Sequence, residues 1–483
     1  MAISSEAFKK AYDRLNPQQK QVVDAVDGPV LVVAGPGSGK TEILSLRVAN
    51  ILLRTDTRAS NVLCMTFTDA AAANMRRRLT GLIGREAYHV AIYTFHSFCV
   101  DIINRYPEYF YSGASFMPAD EGVQIEIMED IFHGLDHENP LRKIHPEQGY
   151  TFLPHARRAI VQLKKAGLTP DEFVAVVEHN ARQIETFNSQ VEAVFAPRMT
   201  MKQVPTAQAF LKQLDAAVAE DFPVADYQPL TTMLARSLAR ALEQCEQQEK
   251  VQALSAWKEE YTKKDENGRR VLKEAVYTKK LLALAEIYRD YTTRMHERGY
   301  YDFEDMLVDV LQALRSHPQL RYELQEQFHY ILIDEFQDTN DAQMRLLRFL
   351  TDAAVHEGRP NIMAVGDDDQ AIYKFQGAEI SNILSFNTIY RDPAVITLVH
   401  NYRSRQEILD LARHIIVKGE NRLENLIPQL QKELSPASCH QRHRKEAQVA
   451  GSPKRRFFPR SRNGHVNKLV LLKQGQQFLI EWE

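Results

Sequence analysis

Ala34-Gly35-Pro36-Gly37-Ser38-Gly39-Lys40-Thr41 follows the apolar run Pro29-Val30-Leu31-Val32-Val33 and precedes a helix predicted to begin near Thr41. Successive glycines let backbone N–H groups turn inward around phosphate oxygens, where a side chain would block the approach. Lys40 is then placed to reach β- and γ-phosphates, Thr41 to ligate Mg²⁺, and the helix N-terminus adds positive potential. Ala34 stands where the strict pattern has its first glycine, and only compactness is needed there. A glycine-rich turn with an incidental Lys-Thr is the plainer alternative. The strand before it and the helix after it argue for a phosphate cradle.

Outward from that loop, Val62-Leu63-Cys64-Met65-Thr66-Phe67 reads as a second strand and Ala70 to Leu82 as a helix. Leu44, Val48, Ile51 and Leu52 form one apolar stripe at helical spacing after the loop. Alternating strands and helices imply an α/β fold with a parallel sheet covered on both faces. From about Phe116 to Arg298 strand signals nearly vanish, and long charged helical stretches appear, such as Ala241 to Tyr261 and Lys273 to Arg298. Lys263-Lys264-Asp265-Glu266-Asn267-Gly268 is a polar turn between two of them. The α/β pattern then returns with apolar strands at 328–333, 361–365 and 394–398.

At 483 residues, with 44% hydrophobic and 25% charged residues, the chain suits about three structural units of a globular protein. It holds no run of eighteen apolar residues, so no membrane segment is expected, and Met1 to Glu6 does not read as a secretory signal. Four scattered cysteines without a Cys-x-x-Cys pair fit a reducing cytosol rather than a disulfide scaffold or structural zinc. The net charge of −3 hides an asymmetry: Ser435 to Glu483 holds ten Lys/Arg against three Asp/Glu. The acidic remainder means that any contact with nucleic acid must come from a local patch. Cys439, His440 and His443 have spacing compatible with two or three metal ligands, but a solvated basic tail reads better.

Asp334-Glu335-Phe336-Gln337-Asp338 directly follows the strand ending at Ile333. A phosphate-loop enzyme needs a carboxylate at a neighbouring strand end to hold Mg²⁺ through its water shell, and Asp334 fits. Glu335 is suited to orient or deprotonate an attacking water. Gly366-Asp367-Asp368-Asp369-Gln370 also ends a strand, which brings Gln370 toward the same edge and the γ-phosphate. Beyond it Phe375 is either a base-stacking platform or a core aromatic.

These motifs, in this order, resemble the Rep/UvrD/PcrA family of superfamily 1 DNA helicases. Leu15-Asn16-Pro17-Gln18-Gln19 is similar to that family's Q motif, in which Gln19 would read adenine. Residues 34–41, that is Ala34, Gly35, Pro36, Gly37, Ser38, Gly39, Lys40 and Thr41, are similar to motif I. Thr66-Phe67-Thr68 and Thr94-Phe95-His96-Ser97-Phe98 resemble motifs Ia and Ib, which touch single-stranded DNA. Residues 334–338 resemble motif II, and 366–378 motif III. Asn401-Tyr402-Arg403-Ser404 resembles motif IV, with Tyr402 stacking on adenine and Arg403 approaching the γ-phosphate. The resemblance implies a P-loop NTPase (RecA-like) domain over 1–115 and 299–398, flanked by helices. A helical insertion of 1B type would span 116–298. An incomplete second lobe would start over 399–434, followed by an atypical, partly disordered basic tail over 435–483.

The resemblance further implies an ATP- and Mg²⁺-dependent enzyme moving 3′ to 5′ on DNA. Its catalytic residues would be Lys40, Asp334, Glu335, Gln370 and Arg403, with Mg²⁺ held at Thr41 and Asp334. Thr66, Phe67, Thr94, His96, Ser97 and Phe375 would meet single-stranded or partly duplex DNA. The setting would be cytoplasmic, on the nucleoid if bacterial. Two departures stand out. Asp69-Ala70-Ala71-Ala72-Ala73-Asn74-Met75 lacks the lysine usual after motif Ia, and nothing after Leu434 resembles motifs V and VI. Three readings therefore stay open: a helicase motor, an ATP- and DNA-binding fragment with little turnover, and the motor of a helicase–nuclease. The last is disfavoured because no carboxylate–lysine nuclease cluster is visible. Lys164-Lys165 and Lys263-Lys264 read as solvated helix faces, with contact to duplex DNA as the alternative.

Overall fold

The computed structural model describes residues 5–110, 116–147, 149–217, 224, 227, 229–371, 386–417, 424 and 432–437, and the backbone of 467–473 and 476–482. The chain divides into two compact units, one of 1–114 with 303–462, the other of 115–302 with 463–483.

In the first unit the strands of the central sheet are β1 (Val30–Ala34), β2 (Val62–Thr66), β3 (Ala91–Thr94), β4 (Tyr330–Ile333), β5 (Ile362–Gly366) and β6 (Ala394–Leu398). They form one parallel sheet in the order β6-β1-β5-β4-β2-β3, with Val32 opposite Val365 on one side and Ile396 on the other. β1, β2, β4 and β5 are buried along their whole length. That is why they read as continuous apolar runs rather than alternating ones. β3, the short edge strand Ala91-Ile92-Tyr93-Thr94, is buried only at alternate positions and carries too weak an apolar signal to stand out in the sequence.

The helices that matter here are α1 (Pro17–Asp24), α2 (Lys40–Arg54), α3 (Asp69–Ile83) and α4 (Phe95–Arg105). Val22, Ile43, Leu44, Val48, Met75 and Leu79 pack from α1, α2 and α3 onto Val30, Val32 and Cys64 in one core. Arg47 of α2 is buried and donates to the Val22 and Val26 carbonyls (3.0 and 3.2 Å), while Asn50 donates to that of Val23 (2.8 Å). The P-loop helix thereby satisfies the carbonyls that the end of α1 leaves open. Burial draws the Arg47 guanidinium pKa down to about 10.

The second unit is helical: α5 (Pro170–Phe195), α6 (Leu230–Gln248), α7 (Gln252–Tyr261) and α8 (Lys273–Glu297) are its longer or better-framed elements. Thr169 and Glu172 close a capping box on α5, which then runs through two cores. Phe173, Val176 and Val177 join Leu284 and Tyr288 of α8, while Phe187, Val191 and Phe195 join Leu238 of α6 and Trp257 of α7. The stretch 241–261, expected as one helix, is two. Glu249 adopts a left-handed conformation (φ 52°) and ends α6. Lys263 and Lys264, expected in the polar turn, belong to the strand Thr262–Lys264 paired with Arg270–Leu272, and Gly268 stands in the turn between them at φ +78°. Near the end of the chain, Asn467–Lys473 and Gln476–Trp482 pair as an antiparallel hairpin.

Lys164 corrects its expectation. It is neither on a solvated face nor available to DNA. Its side chain is fully buried, 2.5 Å from Asp302, with its ammonium 4.8 Å from the centre of the Tyr291 ring. The Tyr291 hydroxyl also donates to Asp302 (3.3 Å). A buried lysine needs such a partner, because an unpaired charge costs several kcal/mol to desolvate, on the order of the unpaired-charge penalty in protein interiors.

Candidate nucleotide and nucleic-acid site

All six strands of the sheet run the same way, so their C-terminal ends share one edge. The loop 34–41 leaves β1 there, beside Gly366 at the end of the adjacent β5, with Asp334 following β4 on the far side of β5. Thr66 and Thr94 end β2 and β3 farther along. Strand order thus separates the phosphate-loop residues from those expected to meet DNA.

Gly37 and Gly39 hold positive φ (71° and 89°), and Gly39 caps α2. A Cβ on Gly37 would come 2.8 Å from the Arg403 Cβ, and one on Gly35 would come 2.7 Å from a Leu434 methyl. Ser38 is buried, and its hydroxyl donates to the Gly35 carbonyl (2.7 Å), bracing the loop from within. At the start of α2 the Lys40 ammonium lies 2.8 Å from Glu335 Oε2 and 3.4 Å from Gln370 Oε1. Thr41 is half-buried on the same turn, and Arg403 is exposed.

Glu335 reaches Lys40 from a left-handed backbone conformation (φ 50°), an uncommon state for a residue with a side chain. Burial, and then the neighbouring Glu335 charge, push the Asp334 carboxyl up to about 6, with Lys40 working against them. Asp338 is raised to about 6 by the same causes. A buried carboxylate with its charge incompletely balanced suits a cation. No group of three or more His, Cys, Asp or Glu that could hold a metal occurs among the described residues. Thr41 and Asp334 are the two residues from which the sequence leads one to expect a Mg²⁺ site.

Gln19 is buried against the loop, its amide nitrogen donating to the Ser38 carbonyl (2.9 Å). It also closes a capping box with Asn16 at the start of α1. The Tyr402 hydroxyl accepts from the Asn16 amide (2.9 Å) and lies 3.5 Å from Gln19 Oε1, while the Tyr402 N–H donates to the Gly37 carbonyl (2.9 Å). Gln19, Tyr402 and the loop carrying Ala34 to Gly39 are thus one hydrogen-bonded group.

Thr66 is buried at the end of β2, bonded to the Thr68 carbonyl (3.1 Å), with Phe67 half-buried beside it. Thr94 and Ser97 bond each other across the capping box that starts α4, so their hydroxyls hold the helix start. His96 packs edge-on to Phe303 at 5.7 Å. Phe375 lies outside the described residues, as do Cys439, His440 and His443.

Four residues outside the expected set join this network. The Gln337 amide donates to Glu335 (2.8 Å) and accepts from the Asp367 N–H (2.9 Å), linking the ends of β4 and β5. Asp367 accepts from the Gln370 amide (2.6 Å). Asn401 donates to the Pro36 carbonyl and accepts from the N–H groups of Arg403 and Ser404 (2.8 and 2.7 Å). Lys432 meets the carboxylates of Asp367, Asp368 and Asp369. Gln337, Asp367 and Asn401 sit inside the motifs and were within reach of the sequence. Lys432 belongs to no motif, and only folding brings it to these acids.

The UvrD/REP helicase N-terminal domain matches residues 15–391. The chain is 28% identical over 414 residues to the ATP-dependent DNA helicase UvrD1 of Mycobacterium tuberculosis, covering 85% of this chain and 40% of that one. It is 26% identical over 408 residues to the ATP-dependent DNA helicase PcrA of Bacillus subtilis, covering 84% and 40%. To PcrA of Staphylococcus aureus it is 27% identical over 410 residues, covering 85% and 41%. The chain spans about two fifths of the length of these curated relatives.

Proposed function

The chain belongs to the UvrD/REP helicase N-terminal domain family, and from that premise we propose that it acts as an ATP-dependent DNA helicase or translocase, hydrolysing ATP to move 3′ to 5′ on single-stranded DNA. The observation that carries this is the position of Lys40, at the mouth of the glycine loop between Glu335 and Gln370. A cation held by two side chains that an incoming triphosphate can displace is suited to bind phosphate.

On this reading Lys40 exchanges Glu335 for β- and γ-phosphate oxygens, which frees the Glu335 carboxylate to take a proton from the attacking water. Gln370 and Arg403 face the γ-phosphate. Positive charge there stabilises the transition state, and an arginine finger can be worth about 10³–10⁵ in rate. Gln19 and Tyr402 hold the adenine. Thr41 and Asp334 would hold Mg²⁺, which would supply charge neutralisation. Phe67 and Phe375 offer stacking faces for unpaired bases, each worth on the order of 1–3 kcal/mol, and Thr66, Thr94, His96 and Ser97 meet the sugar–phosphate backbone. Partly duplex DNA as substrate and a cytoplasmic setting, on the nucleoid if bacterial, belong to the same reading.

A second reading is favoured by the helix α9 (Gln406–Ile416). Its Ile408, Leu411 and Ile415 are 58%, 64% and 63% exposed. Strand movement needs lobes that close and open on the nucleotide. With that flank outward, the chain would bind ATP and single-stranded DNA and turn over little. ATPase rates with and without single-stranded DNA decide between the two. The motor requires strong stimulation by DNA that disappears in Lys40→Ala. Tight ATP binding with negligible turnover selects the second reading.

A further inference from the structure

Residues 432–437 form a strap beside the glycine loop. Leu434 lies over Gly35, and Ser435–Pro436 pairs in parallel with His400–Asn401. The Ala437 N–H donates to the carbonyl of Asn401, the residue whose amide holds Pro36. At the head of the strap the Lys432 side chain is 4% exposed. Its ammonium lies 2.8 Å from Asp367 and 3.0 Å from Asp369 and also bonds Asp368. Burial works against its charge, but Asp367 and Asp368 outweigh that, and the Lys432 pKa lies above the ordinary lysine value.

Asp367 connects Lys432 to the phosphate site. One of its oxygens takes the Lys432 ammonium, and the other takes the Gln370 amide nitrogen at 2.6 Å. That second bond sets which end of the Gln370 amide faces Lys40: the oxygen, at 3.4 Å. A flipped amide would turn N–H toward the Lys40 ammonium and the amide oxygen toward the Asp367 carboxylate, both repulsive. The order Lys432, Asp367, Gln370, Lys40 is therefore a continuous chain of charge-assisted contacts.

We propose that Lys432 is a positioning residue for γ-phosphate sensing, acting through Asp367 to hold Gln370 in the orientation from which it discriminates nucleoside triphosphate from diphosphate. The inference rests on the nucleotide-binding part of the function proposed above. The diphosphate lacks the group that Gln370 would meet, so its affinity does not depend on this chain of contacts.

The test is the ratio of affinities for MgATPγS and MgADP, measured by calorimetry on the full chain. Lys432→Met and Asp367→Asn are each expected to lower that ratio at least fivefold with ADP affinity within twofold of wild type. Lys432→Arg should preserve the ratio. Lys432→Met combined with Gln370→Ala should lose no more than Gln370→Ala alone. Leu434→Ala, which removes only the packing on Gly35, should weaken both nucleotides together. The proposal is overturned if Lys432→Met and Asp367→Asn weaken ATPγS and ADP equally, if the ratio stays unchanged, or if the losses in the double variant multiply. Should Lys432→Met fail to fold, Asp367→Asn alone decides by the same ratio. A wild-type chain that binds neither nucleotide sinks the function itself, an outcome distinct from all of these, and the inference with it.

Discussion

Glu274 is buried in the first turn of α8, its Oε2 without a hydrogen-bond partner among the described residues. Burial pushes its carboxyl up from 4.5 to about 7, against its own backbone N–H and Lys273. The native state therefore keeps the proton between about pH 4.5 and 7, where the unfolded chain releases it. Stability must fall as pH rises through that window, by on the order of 3 kcal/mol, and level off above it. Glu274→Gln mimics the protonated form. In denaturant unfolding it should match wild type near pH 4.5 and exceed it at pH 8. A difference independent of pH would show that the carboxylate is charged and paired. Lys164 is the contrasting case, since Asp302 and Tyr291 compensate its burial. Neither burial was legible locally, because a lysine or glutamate among helical polar residues looks the same on a wet face as on a dry one.

At the scale of elements, the central strands were legible because burial on both faces demands continuous apolar runs, as at Val30–Ala34 and Ile362–Gly366. The break between α6 and α7 was not. Glutamate favours helix, and what stops α6 at Glu249 is the return of α7, whose Trp257 indole donates to Ser237 (2.8 Å) and stacks on Phe195 at 4.8 Å. Holding a residue with a Cβ in a left-handed conformation costs roughly 1 kcal/mol. Glu249 is exposed, so Glu249→Gly should raise the thermal midpoint of unfolding by a few degrees, leaving nucleotide affinity alone. A lower midpoint would mean that the glutamate side chain contributes more than its backbone costs.

At the scale of the whole molecule, the phosphate loop, the acids after β4 and β5 and the 401–404 turn come from four distant parts of the chain and meet in the first unit. A ligand bound only by the native state stabilises it by about 2.7 kcal/mol at a hundredfold excess over Kd. Added MgATP should therefore slow amide exchange most at 35–41, 334–338 and 366–370. Protection confined to other segments would place the nucleotide elsewhere. The glycine loop, the acid pair at 334–335 and the order of the motifs were settled by the sequence itself, because each is a local pattern whose chemistry comes from residue type and spacing. The tertiary structure alone decided that Lys164 finds Asp302 across 138 residues, and that Lys432 finds its aspartates across 64. The physical reason is that a charge is buried only where a distant opposite charge offsets its desolvation, and that pairing exists only once the chain has folded.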